Sequence, residues 1–187
     1  MPFVDTTLNR NVVNKLLLTT VLTFGLATPP EALAQATTPE QRIKAAGFAL
    51  PEPVKPIANY VTWRRSGNTL YLSGHGTCGG NNVIGKLGDK LNVEQGYEAA
   101  QRVGLCALAT IKSAVGDLSK VKQVLKITGM VNAVPSFNDH SKVINGFSDL
   151  FVTAFGDDGK GARAAVGMAG LPGNMSVEVS AIIELNE

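Results

Sequence analysis

The clearest pattern in the chain is an alternation of apolar and other side chains near its C-terminus. Between 176 and 185 every second residue is apolar, which predicts a β-strand with one buried face. That face carries Val177, Val179, Ala181, Ile183 and Leu185. The opposite face carries Glu178, Ser180, Ile182 and Glu184. Because this second face is too apolar to be simply wetted and too polar for a closed core, we expect an oligomer to enclose it.

Two longer segments repeat apolar residues at steps of three and four, the spacing of amphipathic helices. The first extends from about Val93 to Val115, and Asn92 caps its start with Gln95 as capping-box partner. The second follows Pro135, and Gly156 ends it. Its apolar stripe consists of Val143, Phe147, Leu150, Phe151, Ala154 and Phe155. Both stripes predict helices that pack against a sheet.

The remaining strands are predicted from shorter runs. Residues 60–65 and 68–73 are two strands joined by a tight turn, and β-branched residues make 121–131 a third. Two further strands are predicted at 163–171 and 175–185. The order of elements therefore predicts an α+β fold, with two helices on one face of a mixed sheet.

The N-terminus has the composition of a secretory signal peptide. Arg10 and Lys15 precede an apolar run, 16–27, of about twelve residues, shorter than the roughly twenty that a membrane span needs. Small residues place the cleavage site near Ala34 or Ala36. We therefore predict an exported, periplasmic protein with no membrane attachment after cleavage; the alternative is an uncleaved N-terminal anchor.

The rest of the chain divides into a short lead-in and one domain. Residues 37–56 contain a predicted helix at 39–47, followed by an extended proline-rich stretch. Residues 57–187 form the predicted globular domain. The whole chain has 187 residues and is 44% apolar, which is enough for one well-buried domain and short for two.

Charge and cysteine content narrow the choice of partners. The formal net charge is +2, from 17 basic and 15 acidic residues, and no basic block indicates nucleic-acid binding. Cys78 follows a predicted strand and Cys106 lies within a predicted helix, and we expect both to be free thiols. Together with His75 and His140 they match no closely spaced zinc motif, so no metal site is predicted.

Several short motifs accompany this order of elements. They are Asn59-Tyr60, Tyr71-Leu72-Ser73-Gly74, Asn145-Gly146-Phe147, Ala162-Arg163, Leu171-Pro172 and Val177-Glu178-Val179. Together they resemble the reactive intermediate deaminase family, also called RidA or YjgF and formerly endoribonuclease L-PSP. The resemblance covers about residues 56–185, and the stretches 129–132 and 143–150 indicate a longer-chain branch with an extra N-terminal segment like 39–54.

This resemblance implies a chorismate-mutase-like fold and a homotrimer with clefts between subunits. It also implies hydrolysis of enamines and imines derived from amino acids, giving a 2-oxo acid and ammonia without a metal or organic cofactor. Arg163 would bind the substrate carboxylate with its planar fork of donors. Glu178 would hold and activate the attacking water and then protonate the departing nitrogen. The cleft would be lined by Tyr60, Ser73, Gly74 and Asn145.

Two positions depart from the family pattern. His75 stands where typical short members have glutamine, and Ala165 stands where many have cysteine, so both are expected to alter the shape of the cleft. We interpret His75 as structural, because glycines flank it at the end of a predicted strand. A triad of Ser73, His75 and Asp139 is disfavoured, because it lacks a nucleophile-elbow signature. On the strand of Glu178, Glu184 is a rival candidate for the acid.

Two other classes of function remain open. One is an exported trimer that binds a small molecule or protects against stress through the same clefts without turnover. The other is the ribonuclease of the older family label, which the near-neutral charge and predicted export disfavour.

The spacing of the two candidate catalytic residues leads to a further hypothesis. If 163–171 and 175–185 form one regular hairpin, Arg163 pairs near residue 183 or 184, roughly 15 to 20 Å from Glu178. An imino acid is too small to bridge that gap. Under this hypothesis, the Arg163 and Glu178 that act on one substrate molecule come from different subunits.

Overall fold

The computed structural model describes residues 38–80 and 82–187. The predicted signal peptide, 1–36, lies outside the described residues. The helices are α1 (Pro39–Ala45), α2 (Val93–Val115) and α3 (His140–Phe155). The strands are β1 (Trp63–Ser66), β2 (Thr69–Leu72), β3 (Val121–Asn132), β4 (Ala162–Met168) and β5 (Val177–Leu185). Short 3-10 turns lie at Leu118–Lys120, Gly156–Gly159 and Pro172–Asn174.

The strands form one mixed sheet in the order β1-β2-β5-β3-β4. The pair β3 and β4 is parallel and is joined through α3, whereas every other neighbouring pair is antiparallel. This arrangement confirms the predicted α+β fold with helices on one face.

The predicted hairpin of 163–171 with 175–185 is wrong. β4 pairs only with β3, and β5 lies between β2 and β3. The turn at Pro172–Asn174 is real, with positive φ at Gly173 and Asn174, but it leads away from the edge strand and past β3. A turn signal reports a local change of direction, and it does not determine which strand becomes the hydrogen-bonded neighbour.

The hydrophobic core lies between the sheet and the two long helices. The predicted buried face of β5 is confirmed, since all five of its alternate apolar residues are at most 3% exposed. On α3 the rings of Phe147 and Phe151 stack with centroids 4.2 Å apart. Gly146 lets α3 approach α2 closely, because a Cβ at this position would overlap the backbone carbonyl of Tyr97.

A disulfide joins Cys78 to Cys106, so the prediction of free thiols is wrong. Cys106 is only 2% exposed, as expected for a buried apolar position, but the loop after β2 returns across α2 and brings the two Cα atoms to 6.1 Å. That distance is typical of a disulfide. The separation of 28 residues in sequence gave no sign of the contact.

The second face of the sheet carries apolar side chains that no described element covers. Tyr71 is 46% exposed and Val166 is 42% exposed. Met130 pairs with Val166 on one side and with Glu178 on the other, so these three side chains share this face. This is the face for which the alternation in β5 predicted an enclosing oligomer. None of the described helices is long and apolar enough to cross a membrane.

Candidate functional site

Glu178 lies on the uncovered face of β5, next to the chain segment that follows β2. His75 and Val179 exchange two backbone hydrogen bonds of 2.9 Å, which fasten this segment to β5. Gly74 provides the space for the Glu178 carboxylate, because a Cβ on Gly74 would overlap Glu178 Oε1. Burial raises the pKa of Glu178 above its ordinary value. The position therefore favours a carboxyl group that both accepts and returns a proton.

The segment Ser73 to His75 holds its own side chains in structural hydrogen bonds. The Ser73 hydroxyl donates to the Thr62 carbonyl at 3.2 Å. His75 is 2% exposed, and its Nδ1 and Nε2 lie 2.8 Å from the Ser73 carbonyl and 3.0 Å from Thr110 Oγ1. Burial lowers the pKa of His75, an effect that the bond to Ser73 partly opposes. Neither Ser73 Oγ nor Asp139 meets this imidazole, which agrees with the structural interpretation of His75.

Arg163 lies near the start of β4 and turns towards α3. Its Nη1 donates to Asn145 Oδ1 at 2.9 Å and to Ser148 Oγ at 3.0 Å. Neither Nη2 nor Nε hydrogen-bonds to a described residue, so the edge of the guanidinium formed by these two nitrogens remains available to an anion. Ser148 was missed by the sequence reasoning, although its spacing of three from Asn145 places both on one side of α3.

The sheet register separates these two groups within one chain. Arg163 pairs with Ile127, and Ile127 pairs with Ala181, so Arg163 lies two strands across and three residues along from Glu178. That corresponds to about 14 Å between the two backbones. Ile127 points into the core beneath the helices, and Glu178 points to the uncovered face. Arg163 and Glu178 therefore lie on opposite faces of the sheet.

The structure thus gives two half-sites, which we name by their charged residues. The arginine half-site consists of Arg163, Asn145 and Ser148. The glutamate half-site consists of Glu178 with Ser73 and Gly74.

Tyr60 is outside the strand predicted for it, because β1 begins only at Trp63. Residues 57–60 form bends instead, and the Tyr60 N–H donates to the carbonyl of Ala58. Its side chain is 45% exposed, and its hydroxyl hydrogen-bonds to no described residue. The role of Tyr60 as a cleft residue therefore stays a prediction.

The rival acid, Glu184, is engaged in other interactions. It accepts hydrogen bonds from Gln123 at 2.5 Å and from Lys122 at 2.9 Å, and these bonds lower its pKa. A carboxylate that is held ionised in this way is a weaker proton acceptor than Glu178. Among the described residues no cluster of three or more histidine, cysteine or acidic side chains is arranged to hold a metal ion.

Known proteins similar to this chain agree with the fold and with the motifs. Protein TCP17 of Trypanosoma cruzi is 41% identical over 151 residues, which cover 77% of this chain and 92% of that protein. The crystal structure of Atu1372 from Agrobacterium tumefaciens is 42% identical with a TM-score of 0.74, over 83% of this chain and 97% of that one.

Two further solved structures extend the comparison. An endoribonuclease-type protein of Shewanella oneidensis is 34% identical, with a TM-score of 0.77 over 80% of this chain and 100% of that one. Escherichia coli TdcF, solved with bound serine, is 20% identical, with a TM-score of 0.52 over 74% of this chain and 97% of that one. At this identity TdcF supports the fold alone.

A family model described as "YjgF/chorismate mutase-like, putative endoribonuclease" matches residues 40–185. That range includes every described strand and both long helices, together with both half-sites. The chain therefore belongs to the YjgF/RidA family.

Proposed function

We propose that this protein hydrolyses imines and enamines derived from amino acids, in a cleft where the arginine half-site of one subunit meets the glutamate half-site of the next. The observation that carries the proposal is the Glu178 carboxylate, which lies against Gly74 with a pKa raised by burial. Such a group holds a water molecule and exchanges protons with it near neutral pH more readily than an exposed glutamate.

The proposed reaction balances without a cofactor. The substrate enters as an imine protonated on nitrogen. The oxygen of water adds to the imine carbon while Glu178 accepts one water proton, which gives a carbinolamine with a neutral amine. Glu178 returns that proton to the nitrogen and then accepts the hydroxyl proton as the carbon–nitrogen bond breaks, so the 2-oxo acid forms and ammonia leaves with the last proton as ammonium. Arg163 holds the substrate carboxylate through donors that Asn145 and Ser148 leave available. Those two side chains keep the guanidinium oriented, which lysine would not reproduce.

A homotrimer is part of the proposal. The apolar side chains of the uncovered face, such as Tyr71 and Val166, would be buried between subunits. The same packing would bring Glu178 of one subunit towards β4 of another, the edge strand that carries Arg163.

Export to the periplasm also stays a proposal. The disulfide between Cys78 and Cys106 supports it, because disulfides persist in oxidising compartments and are rare in the cytoplasm. The N-terminal composition that predicts a signal peptide is independent of this bond.

The test uses purified protein that starts at Gln35, with imino acids generated in situ by an amino acid oxidase. We expect faster release of 2-oxo acid than without the protein, and a loss of about 10- to 100-fold in kcat/KM for Arg163→Ala. Arg163→Lys is the matched control, since it keeps the charge and loses the fork.

Absence of acceleration for small, aliphatic and aromatic imines would reject the deaminase. Equilibrium binding of the parent amino acids by a protein that does not hydrolyse their imines would then favour a binding trimer.

A further inference from the structure

The segment Ser73 to Cys78 is fastened to α2 at two points. Thr110 Oγ1 lies 3.0 Å from His75 Nε2, and Cys106 forms the disulfide with Cys78. Thr110 and Cys106 are four residues apart, so they lie one turn apart on the same side of the helix. Thr110 is fully buried and His75 nearly so. We call residues 73–78 the floor segment, because they run beside the Glu178 carboxylate.

The hydrogen bonds of His75 determine its tautomer. The Ser73 carbonyl only accepts, so Nδ1 carries the proton and donates to it at 2.8 Å. Nε2 is then an acceptor, and the Thr110 hydroxyl donates to it. Both nitrogens of a neutral ring are satisfied, and burial favours that neutral form by lowering the pKa. The ring therefore links the Ser73 backbone to α2 in one orientation.

The floor segment is in turn coupled to Glu178. His75 pairs with Val179 through two backbone bonds, directly next to Glu178 in β5. The Glu178 carboxylate fills the space above Gly74 that any side chain would occupy. A movement of the Ser73–Gly74 backbone therefore changes the position of the carboxylate directly. No other described side chain connects this backbone to the helical layer by a hydrogen bond.

We propose that His75, held by Thr110, is a positioning residue that fixes the Ser73–Gly74 backbone against the Glu178 carboxylate. The ring touches neither the arginine half-site nor the uncovered face, so it acts on a substrate only through the floor segment. The effect of His75 on turnover rests on the proposed deaminase function. The effect of His75 on the position of the Glu178 carboxyl group is independent of that function.

The matched variants are Thr110→Val, which removes the hydroxyl and keeps the shape, and Thr110→Ser, which keeps the hydroxyl. With imino acids as substrate we expect Thr110→Val to lower kcat on the order of tenfold, as a small misplacement of a catalytic group does. KM should change less than about twofold, because Arg163 and its partners are untouched. Thr110→Ser should keep wild-type kcat. An equal loss in both variants would reveal a packing effect and overturn the proposal.

A second readout separates this inference from the proposed function. In protein labelled with ¹³C at glutamate side chains, the Glu178 carboxyl resonance is assigned from its absence in Glu178→Gln. At neutral pH we expect that resonance to move in Thr110→Val and to stay in place in Thr110→Ser.

If wild-type protein shows no turnover, the deaminase proposal fails. The shift of the Glu178 resonance in Thr110→Val then tests the positioning role of His75 by itself. An unmoved resonance in folded Thr110→Val overturns it. If Thr110→Val does not fold by circular dichroism, His75→Leu against His75→Gln provides the same comparison, since glutamine keeps one donor and one acceptor.

Discussion

Complementation between two impaired variants tests whether each active site combines two subunits. Arg163→Ala removes the proposed carboxylate anchor, and Glu178→Ala removes the proposed proton acceptor. We expect Arg163→Ala alone to keep about 1 to 10% of wild-type kcat/KM and Glu178→Ala alone to be inactive. In a closed ring, one site needs an intact arginine from one subunit and an intact glutamate from its neighbour. With equal, random mixing each requirement is met half of the time. About one quarter of the sites are then intact, whatever the number of subunits in the ring.

The geometry sets the contrast with a site contained in one chain. Within a subunit, about 14 Å and a change of sheet face separate the two residues. If both residues nevertheless acted from one chain, every chain in the mixture would lack one of them, and no mixing ratio would restore activity. The assay is imine hydrolysis after the two variants are unfolded together and refolded. Differently tagged subunits, captured through one tag and detected through the other, establish that exchange has occurred.

The mixing ratio sharpens the test further. The activity gained over the same two variants mixed without exchange should follow the product of the two subunit fractions and reach its maximum at equal amounts. Proven exchange with no gain over the unexchanged mixture would refute the two-subunit site. Refolded wild type is the matched control for losses during refolding.

Three further predictions concern single features of the fold. Replacing both Cys78 and Cys106 with serine should lower the free energy of unfolding by about 3.6 kcal/mol, from the entropy of closing a 28-residue loop, as urea denaturation would measure. Gly74→Ala should abolish imine hydrolysis by displacing the Glu178 carboxylate, whereas Gly170→Ala, with open space around its Cβ, should retain it. Because burial raises the pKa of Glu178, its ionisation destabilises the folded state above that pKa. Glu178→Gln should therefore raise Tm at pH 7, and the gain should vanish below about pH 4, where glutamate is protonated in both states.

Local patterns predicted the helices and the faces of the strands well. Asn92 and Gln95 form the predicted capping box of α2, and α3 ends at Phe155 immediately before Gly156. These features depend on residues within one or two turns of each other. The motifs also identified the family, which the family model confirms. The catalytic roles of Arg163 and Glu178 stay predictions.

Contacts between distant parts of the chain were harder to predict. The disulfide depends on how the loop after β2 folds back over α2, and neither cysteine has a local signal for that path. The bonds from His75 to Ser73 and Thr110 depend on the same path, although the structural interpretation of this histidine needed only its glycine neighbours. Tyr60 was placed in a strand by its β-propensity, whereas the chain forms bends there.

The hypothesis of a site shared between subunits survives the loss of the hairpin on which it was first based. In a hairpin, Arg163 and Glu178 would have been separated by distance along two paired strands. In the observed sheet β3 lies between their strands, which shortens the backbone separation to about 14 Å. However, the parallel pairing with β3 also places Arg163 level with Ile127, on the face that α3 covers. A long side chain could shorten the distance between Arg163 and Glu178, but no side chain passes through the hydrogen-bonded sheet that separates them. The change of face is therefore the stronger reason to expect that one substrate molecule contacts two subunits.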